Sequence, residues 1–158
     1  MSRPFSPPCV SEPDRRGLLA TGAGLAALLL VRPARAEPQD MARAIDAFTG
    51  GAVPRPGKVL LDIAPLVENG NAVGVEVKVD HPMTADNHVT QIALFTEKNP
   101  QPEVAVFHLT PRSGRAHVVT RMRLATSQHV TALARLSDGS FWSDAREVIV
   151  TIAACTED

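Results

Sequence analysis

Cys155 is the side chain with the widest chemical range in this sequence. It stands in Ala153-Ala154-Cys155-Thr156-Glu157-Asp158, directly after the strand-like run Val148-Ile149-Val150-Thr151-Ile152. A thiol serves as nucleophile, metal ligand or covalent attachment point, and the thiolate is the working form in each case. The stretch 153–158 carries no apolar pattern, and chain termini are mobile unless something docks them. It therefore reads as a flexible C-terminal arm. If the strand ends near Ile152, three extended residues carry the sulfur ~10 Å clear of the sheet. Enzymes hold their nucleophiles in preorganised pockets. An arm of this kind suits a carrier whose cargo must enter another protein's active site. The plain alternative is a tail cysteine with no role. Glu157 and Asp158 oppose formation of a new negative charge beside them, so the free thiol is expected to react slowly.

The other candidates are weaker. His81, His88, His108, His117 and His129 show neither the i, i+4 spacing of a helical metal site nor a short ligand motif. If the turn at Arg112-Ser113 closes a hairpin, His108 and His117 face each other across it. Two histidines fall short of a zinc site, so no metal and no cofactor are expected. Arg112, Arg115, Arg121 and Arg123 cluster around the same turn, either as a solvated face or as a docking patch for an acidic partner. The sequence contains no G-x-S-x-G elbow, phosphate loop, dinucleotide fingerprint or obvious carboxylate pair. A formal net charge of −1 gives no bias toward nucleic acid. No catalytic residue is assigned, and the chain is not expected to be an enzyme.

The segments that must position Cys155 begin after an export signal. Arg15-Arg16-Gly17-Leu18-Leu19 is a twin-arginine pair followed by apolar residues. The run from Leu18 to Val31 is shorter than the ~20 residues of a membrane span. It ends at Ala34-Arg35-Ala36, where small side chains suit a signal peptidase. Residues 1–36 are therefore expected to be a twin-arginine signal cleaved after Ala36, leaving a periplasmic chain off the membrane. Cys9 leaves with the signal, and Cys155 remains as the single cysteine. An odd thiol in an oxidising compartment points to intermolecular pairing or to reactivity.

Residues 37–57 read as a short helix and linker. Met41, Ile45 and Phe48 recur at i, i+4 and i+7, and Gly50-Gly51 stop the helix. From 58 to 152 the period changes to two. Val59–Ile63, Val73–Val79, Val89–Thr96, Val104–Leu109, Ala116–Leu124, Val130–Leu136 and Arg146–Ile152 read as strands. Val89–Thr96 is apolar on both faces and so belongs at the centre of a sheet. About seven strands with frequent turns imply an all-β, immunoglobulin-like sandwich. No internal cysteine pair bridges its sheets, and Trp142 is the natural centrepiece of the core.

Several stretches together resemble the SoxY family of sulfur-oxidation carrier proteins. They include Phe48-Thr49-Gly50-Gly51, Leu66-Val67-Glu68-Asn69-Gly70-Asn71 and Pro82-Met83-Thr84. The longest runs from Phe95-Thr96-Glu97-Lys98-Asn99-Pro100 through Gln101-Pro102-Glu103-Val104-Ala105. Pro111-Arg112-Ser113-Gly114, Thr120-Arg121-Met122-Arg123-Leu124-Ala125, Ser137-Asp138-Gly139-Ser140-Phe141-Trp142 and the terminal cysteine complete the set. The resemblance implies an immunoglobulin-like sandwich paired with a SoxZ-like subunit in the periplasm. It implies that sulfur intermediates of thiosulfate oxidation are held on Cys155 and passed among other sulfur-oxidation proteins. The carrier would be a covalent platform without catalysis of its own.

The arm departs from the family pattern. Ala153-Ala154 stand where the family has Gly-Gly, and Thr156-Glu157-Asp158 replace the trailing glycines. The chain is similar to SoxY-related proteins whose arm reads Ala-Ala-Cys-Ile-Glu. Alanine lacks the positive-φ conformations open to glycine, so the arm is stiffer. Neighbouring carboxylates disfavour an anionic adduct on the sulfur. A paralogue acting as a binding, assembly or thiol-redox module without sulfur cargo is the alternative reading.

Overall fold

The computed structural model describes residues 38–152, which form one helix and nine strands in two sheets. Helix α1 spans Pro38–Thr49. At its end Gly50 and Gly51 adopt φ of 64° and 85°, a region where a side chain is strained. The strands are β1 (Arg55–Pro56), β2 (Val59–Ile63), β3 (Leu66–Asn69), β4 (Val73–Val79) and β5 (Val89–Thr96). They continue with β6 (Glu103–His108), β7 (His117–Met122), β8 (Gln128–Leu136) and β9 (Phe141–Ile152). One sheet runs β1-β9-β8-β5-β6, with β3 also paired to β9; the other runs β2-β4-β7. This is the all-β, immunoglobulin-like sandwich expected from the alternating pattern.

The alternation decides which residues meet between the sheets. In β4, Val73, Val75, Val77 and Val79 point inward and are buried, whereas Gly74 and Lys78 are exposed. They meet Ile92 and Leu94 of β5, Val130, Ala132 and Ala134 of β8, and Val148 of β9. Each fully buried Val, Ile or Leu among them stabilises the fold by ~1.5–3 kcal/mol. The second face of β5 is also covered. Ala93 and Phe95 pack with Leu133 beneath Met41, Ala44, Ile45 and Phe48 of α1. Phe48 meets the rings of Phe95 and Phe141 edge-on at 5.8 and 5.9 Å. The helix thus docks on its own domain, and it explains why β5 is apolar on both faces.

Three local expectations change. Trp142 is not the centre of the core. It is half-buried at the rim, with Lys58 Nζ 4.8 Å and Arg55 Cζ 5.6 Å from its ring centroid. The linker and the 66–71 turn region each contribute a strand. β1 and β3 pair in parallel with β9, through backbone bonds that need no alternating side chains. The last strand begins at Phe141 rather than Arg146.

Candidate functional site

Cys155 and its arm neighbours Ala153, Ala154, Thr156 and Glu157 lie outside the described residues, as do the expected signal and its cleavage point at Ala36. The site is therefore built from what carries the arm. β9 is twelve residues long and pairs with β8 from Phe141 to Val148. Beyond Val148 its neighbour changes. On one edge Ser127 takes over where β8 stops: Val150 N–H donates to Ser127 Oγ at 2.9 Å, and the hydroxyl returns to Val150 O at 3.4 Å. On the other edge β3 pairs Leu66 with Ile149, Val67 with Val150 and Asn69 with Ile152. Thr151 Oγ1 donates to Glu68 O at 3.2 Å, and Gly70 N–H donates to Ile152 O at 3.1 Å. Backbone order is thus maintained to Ile152, three positions short of Cys155.

The base of the arm is braced by two buried or half-buried amides. Gln128 is 2% exposed. Its Oε1 accepts Lys98 N–H at 2.7 Å, and its Nε2 donates to Asn99 Oδ1 at 2.9 Å and to Thr126 O at 3.1 Å. Asn99 Nδ2 donates to Arg123 O at 2.8 Å, and its Oδ1 also accepts Ala125 N–H at 3.0 Å. A buried amide left unpaired would cost ~1–3 kcal/mol, so full satisfaction is what allows Gln128 to be there. This staple joins the 97–102 turn to the 123–128 segment, two of the stretches that carry the family resemblance. Sequence reading passed over Gln128. The signal was available: it occupies the inward register of Val130, Ala132 and Ala134, where a polar residue needs a reason.

The histidines do not assemble. His81 Nε2 lies 2.7 Å from Asn87 Oδ1, and His108 Nδ1 lies 3.4 Å from Gln91 Nε2. His117 meets Glu76 at 2.6 Å, and His129 meets Glu97 at 3.1 Å. His88 Nδ1 is buried with no hydrogen-bond partner among the described residues. His108 and His117 do not face each other: they belong to different sheets, and the chain between them crosses over through a short 3₁₀ turn, Pro111–Ser113. For the same reason the arginines do not share a hairpin. Arg112 and Arg115 lie on the crossover, Arg121 lies in β7 and Arg123 just beyond it, and all four are exposed. Among the described residues no three His, Cys, Asp or Glu side chains are grouped to hold a metal ion.

Two carboxylates near these histidines are tuned by their partners. The hydrogen bond from His129 holds Glu97 below its ordinary range, aided by the His129 backbone N–H. Lys78 and then His117 do the same for Glu76. Both are surface ion-pair arrangements and neither adjoins a thiol among the described residues. Among the described residues these carboxylates and histidines form no shared acid–base cluster.

The described chain is thus a two-sheet sandwich whose last strand is braced as far as Ile152. The sequence matches the family model for the sulfur oxidation protein SoxY over residues 45–155, and the chain belongs to that family. Among solved structures it is similar to the sulfur carrier protein SoxY from Chlorobium limicola f thiosulfatophilum. That likeness has 30% identity and a TM-score of 0.59, and it covers 72% of this chain and 98% of the other. It is also similar to a superoxide reductase (neelaredoxin) from Ignicoccus hospitalis, at 18% identity and a TM-score of 0.54, covering 60% of this chain and 80% of that one. This second likeness is one of fold alone. No curated protein matches the sequence.

Proposed function

We propose that this chain is an exported, non-enzymatic sulfur carrier that holds sulfur intermediates covalently on Cys155. The observation that carries the reading is the family match, which runs from the docked helix through residue 155. The bracing of β9 to Ile152 supports it, because a carrier needs a fixed root beneath a free thiol. On this reading Ala153 and Ala154 form the stalk, and Thr156 and Glu157 the sulfur's C-terminal neighbours. The twin-arginine stretch Arg15-Arg16 supports export, and cleavage after Ala36 would leave Cys155 as the lone thiol in the periplasm. A SoxZ-like subunit is the proposed heterodimer partner, and other sulfur-oxidation proteins the clients.

The chemistry of loading fixes what those clients must do. Joining the Cys155 thiolate to the outer sulfur of thiosulfate forms an S–S bond and releases two electrons. Those electrons must pass to a partner oxidoreductase. Removal of the terminal sulfonate as sulfate then requires a partner hydrolase, with water supplying the oxygen and the sulfane sulfur remaining on the cysteine.

The test is the intact mass of the protein from its own host's periplasm, grown with and without thiosulfate and kept free of reductant. Additions of sulfur or sulfonate that map to Cys155 and vanish on reduction are expected. An unmodified thiol under both conditions, with the partner subunit co-purifying, would replace this reading with an assembly module. A reducible adduct with another protein, and no sulfur-only additions, would replace it with a thiol-redox module.

A further inference from the structure

The strand-end arginines offer a seat for the arm itself. Ile152 O is held by Gly70 N–H, so the chain leaves the sandwich beside the 69–71 turn. The next residue of that turn, Asn71, accepts a hydrogen bond from Arg123 Nη2 at 3.4 Å. Two residues back along β7, Arg121 stands opposite Gly74 of β4. There the outer face of the three-stranded sheet opens into a shallow groove lined by Asp62, Gly74, Glu76, Val119, Thr120 and Arg121. A Cβ on Gly74 would meet nothing within 4 Å, so the groove floor is open.

Both guanidiniums are exposed, and among the described residues neither has a carboxylate within ion-pair distance. Glu76, on the same face, is already held by Lys78 and His117. Arg121 in β7 and Arg123 just beyond its end thus offer two exposed cations two positions apart, one opposite Gly74 and one beside Asn71. The arm that starts a turn away carries two adjacent carboxylates, Glu157 and Asp158. The stretch 153–158, extended, spans up to roughly 20 Å, ample to fold back from Ile152 to β7.

We propose that Glu157 and Asp158 dock the arm on Arg121 and Arg123, parking Cys155 against the end of the sandwich. The occupant of this arginine pair, at the edge of a face that also carries Asp62 and Glu76, is therefore the chain's own C-terminal segment. The inference rests on the carrier reading of Cys155 and adds a resting position for it. Exposed ion pairs are individually weak, each favouring the bound form by roughly 1.4- to 5-fold. The docked arm thus opens readily to a client, and high salt screens it. It also gives a use to the acidic residues that replace the family's trailing glycines.

The experiment uses the full chain with Cys9→Ser and a nitroxide on Cys155, read by amide line broadening in two-dimensional NMR. The tether alone keeps the label near this end, so the readout is a difference. Broadening at Gly70–Gly74 and Arg121–Arg123 is expected at low salt. It should fall severalfold in about 1 M NaCl, where the screening length is about 3 Å. An E157Q/D158N variant and an R121Q/R123Q variant should each show the same loss without added salt. Identical broadening in all of these, or broadening centred on another face, would overturn the proposal. The mass experiment above is independent of it: sulfur on Cys155 with no docking leaves the carrier reading intact, and docking without sulfur does the reverse.

Discussion

The two halves of β9 are held by different forces. From Phe141 to Val148 the strand is paired throughout with β8 and anchored at its two ends by the buried Phe141 and Val148. Phe141 lies under Phe48 of the helix, Val148 is fully buried between the sheets, and β8 pairs along the whole length. A polar contact ties this half across the seam as well, where Asp144 Oδ2 accepts Leu61 N–H at 3.0 Å. From Ile149 to Ile152 the apolar cover thins to Val150, half-buried against the core with Val67 of β3. Ile149 is 52% and Ile152 66% exposed, and order rests on backbone bonds to β3 and on one serine hydroxyl. The first half should open only when the domain unfolds, and the second by local fraying. A cysteine-bearing arm is thus rooted in a segment that is ordered yet cheap to release.

The sharpest way to separate the halves is to break the first. Phe95 is fully buried beneath the helix and touches Phe48. Phe95→Ala should lower stability by ~3–5 kcal/mol in urea unfolding. Amide exchange in α1 should rise with it, while amides near Ile152 that exchange by fraying keep their rates. A loss below about 1 kcal/mol would mean that the helix-side cluster is not a structural part of the core. Ser127→Ala attacks the second half instead. It removes the hydroxyl that both accepts from and donates to Val150, at a cost of ~1 kcal/mol. Exchange at the Val150 amide should rise about 5-fold, and global stability should fall by the same ~1 kcal/mol. Exchange at Val150 should depend little on added urea, whereas exchange at Val148 should rise steeply with it; equal urea slopes would show that the two halves open together.

The same division decided what could be read from the sequence. Segments fixed by apolar burial were legible because burial leaves a period. Met41, Ile45 and Phe48 marked the helix face, and the doubly apolar Val89–Thr96 marked the central strand. Segments fixed by backbone pairing were not. β3 reads as a turn because Glu68-Asn69-Gly70-Asn71 has turn composition, yet it is the strand that ties down Ile152. The Pro111–Ser113 crossover reads equally as a hairpin turn, because turn residues do not say which sheet the next strand joins. Trp142 was placed at the centre on size alone, whereas the cations of Arg55 and Lys58 lie over its ring at the rim. Cys155 stands out by residue type and position and lies outside the described residues, whereas the staple of Gln128 and Asn99 needed three-dimensional register to be seen.

The smallest effect lies at the rim of that staple, between Glu97 and His129. The His129 hydrogen bond, then its backbone N–H, lowers the Glu97 pKa against the opposing pull of burial. A carboxylate whose folded pKa lies below its unfolded value, here 4.5, stabilises the fold above that value. The contribution fades as pH falls from about 4.5 through the folded pKa. The pair is partly exposed, so it is worth under about 1 kcal/mol. Glu97→Gln should therefore cost a fraction of a kcal/mol at pH 7, with the difference from the parent shrinking below pH 4.5. Urea midpoints measured from pH 7 to pH 3 would show two curves that converge at the acid end. Curves that stay parallel would assign the cost to the lost packing of a rim side chain, leaving the Glu97–His129 contact without a stabilising charge and the Gln128–Asn99 amides as the whole of the brace.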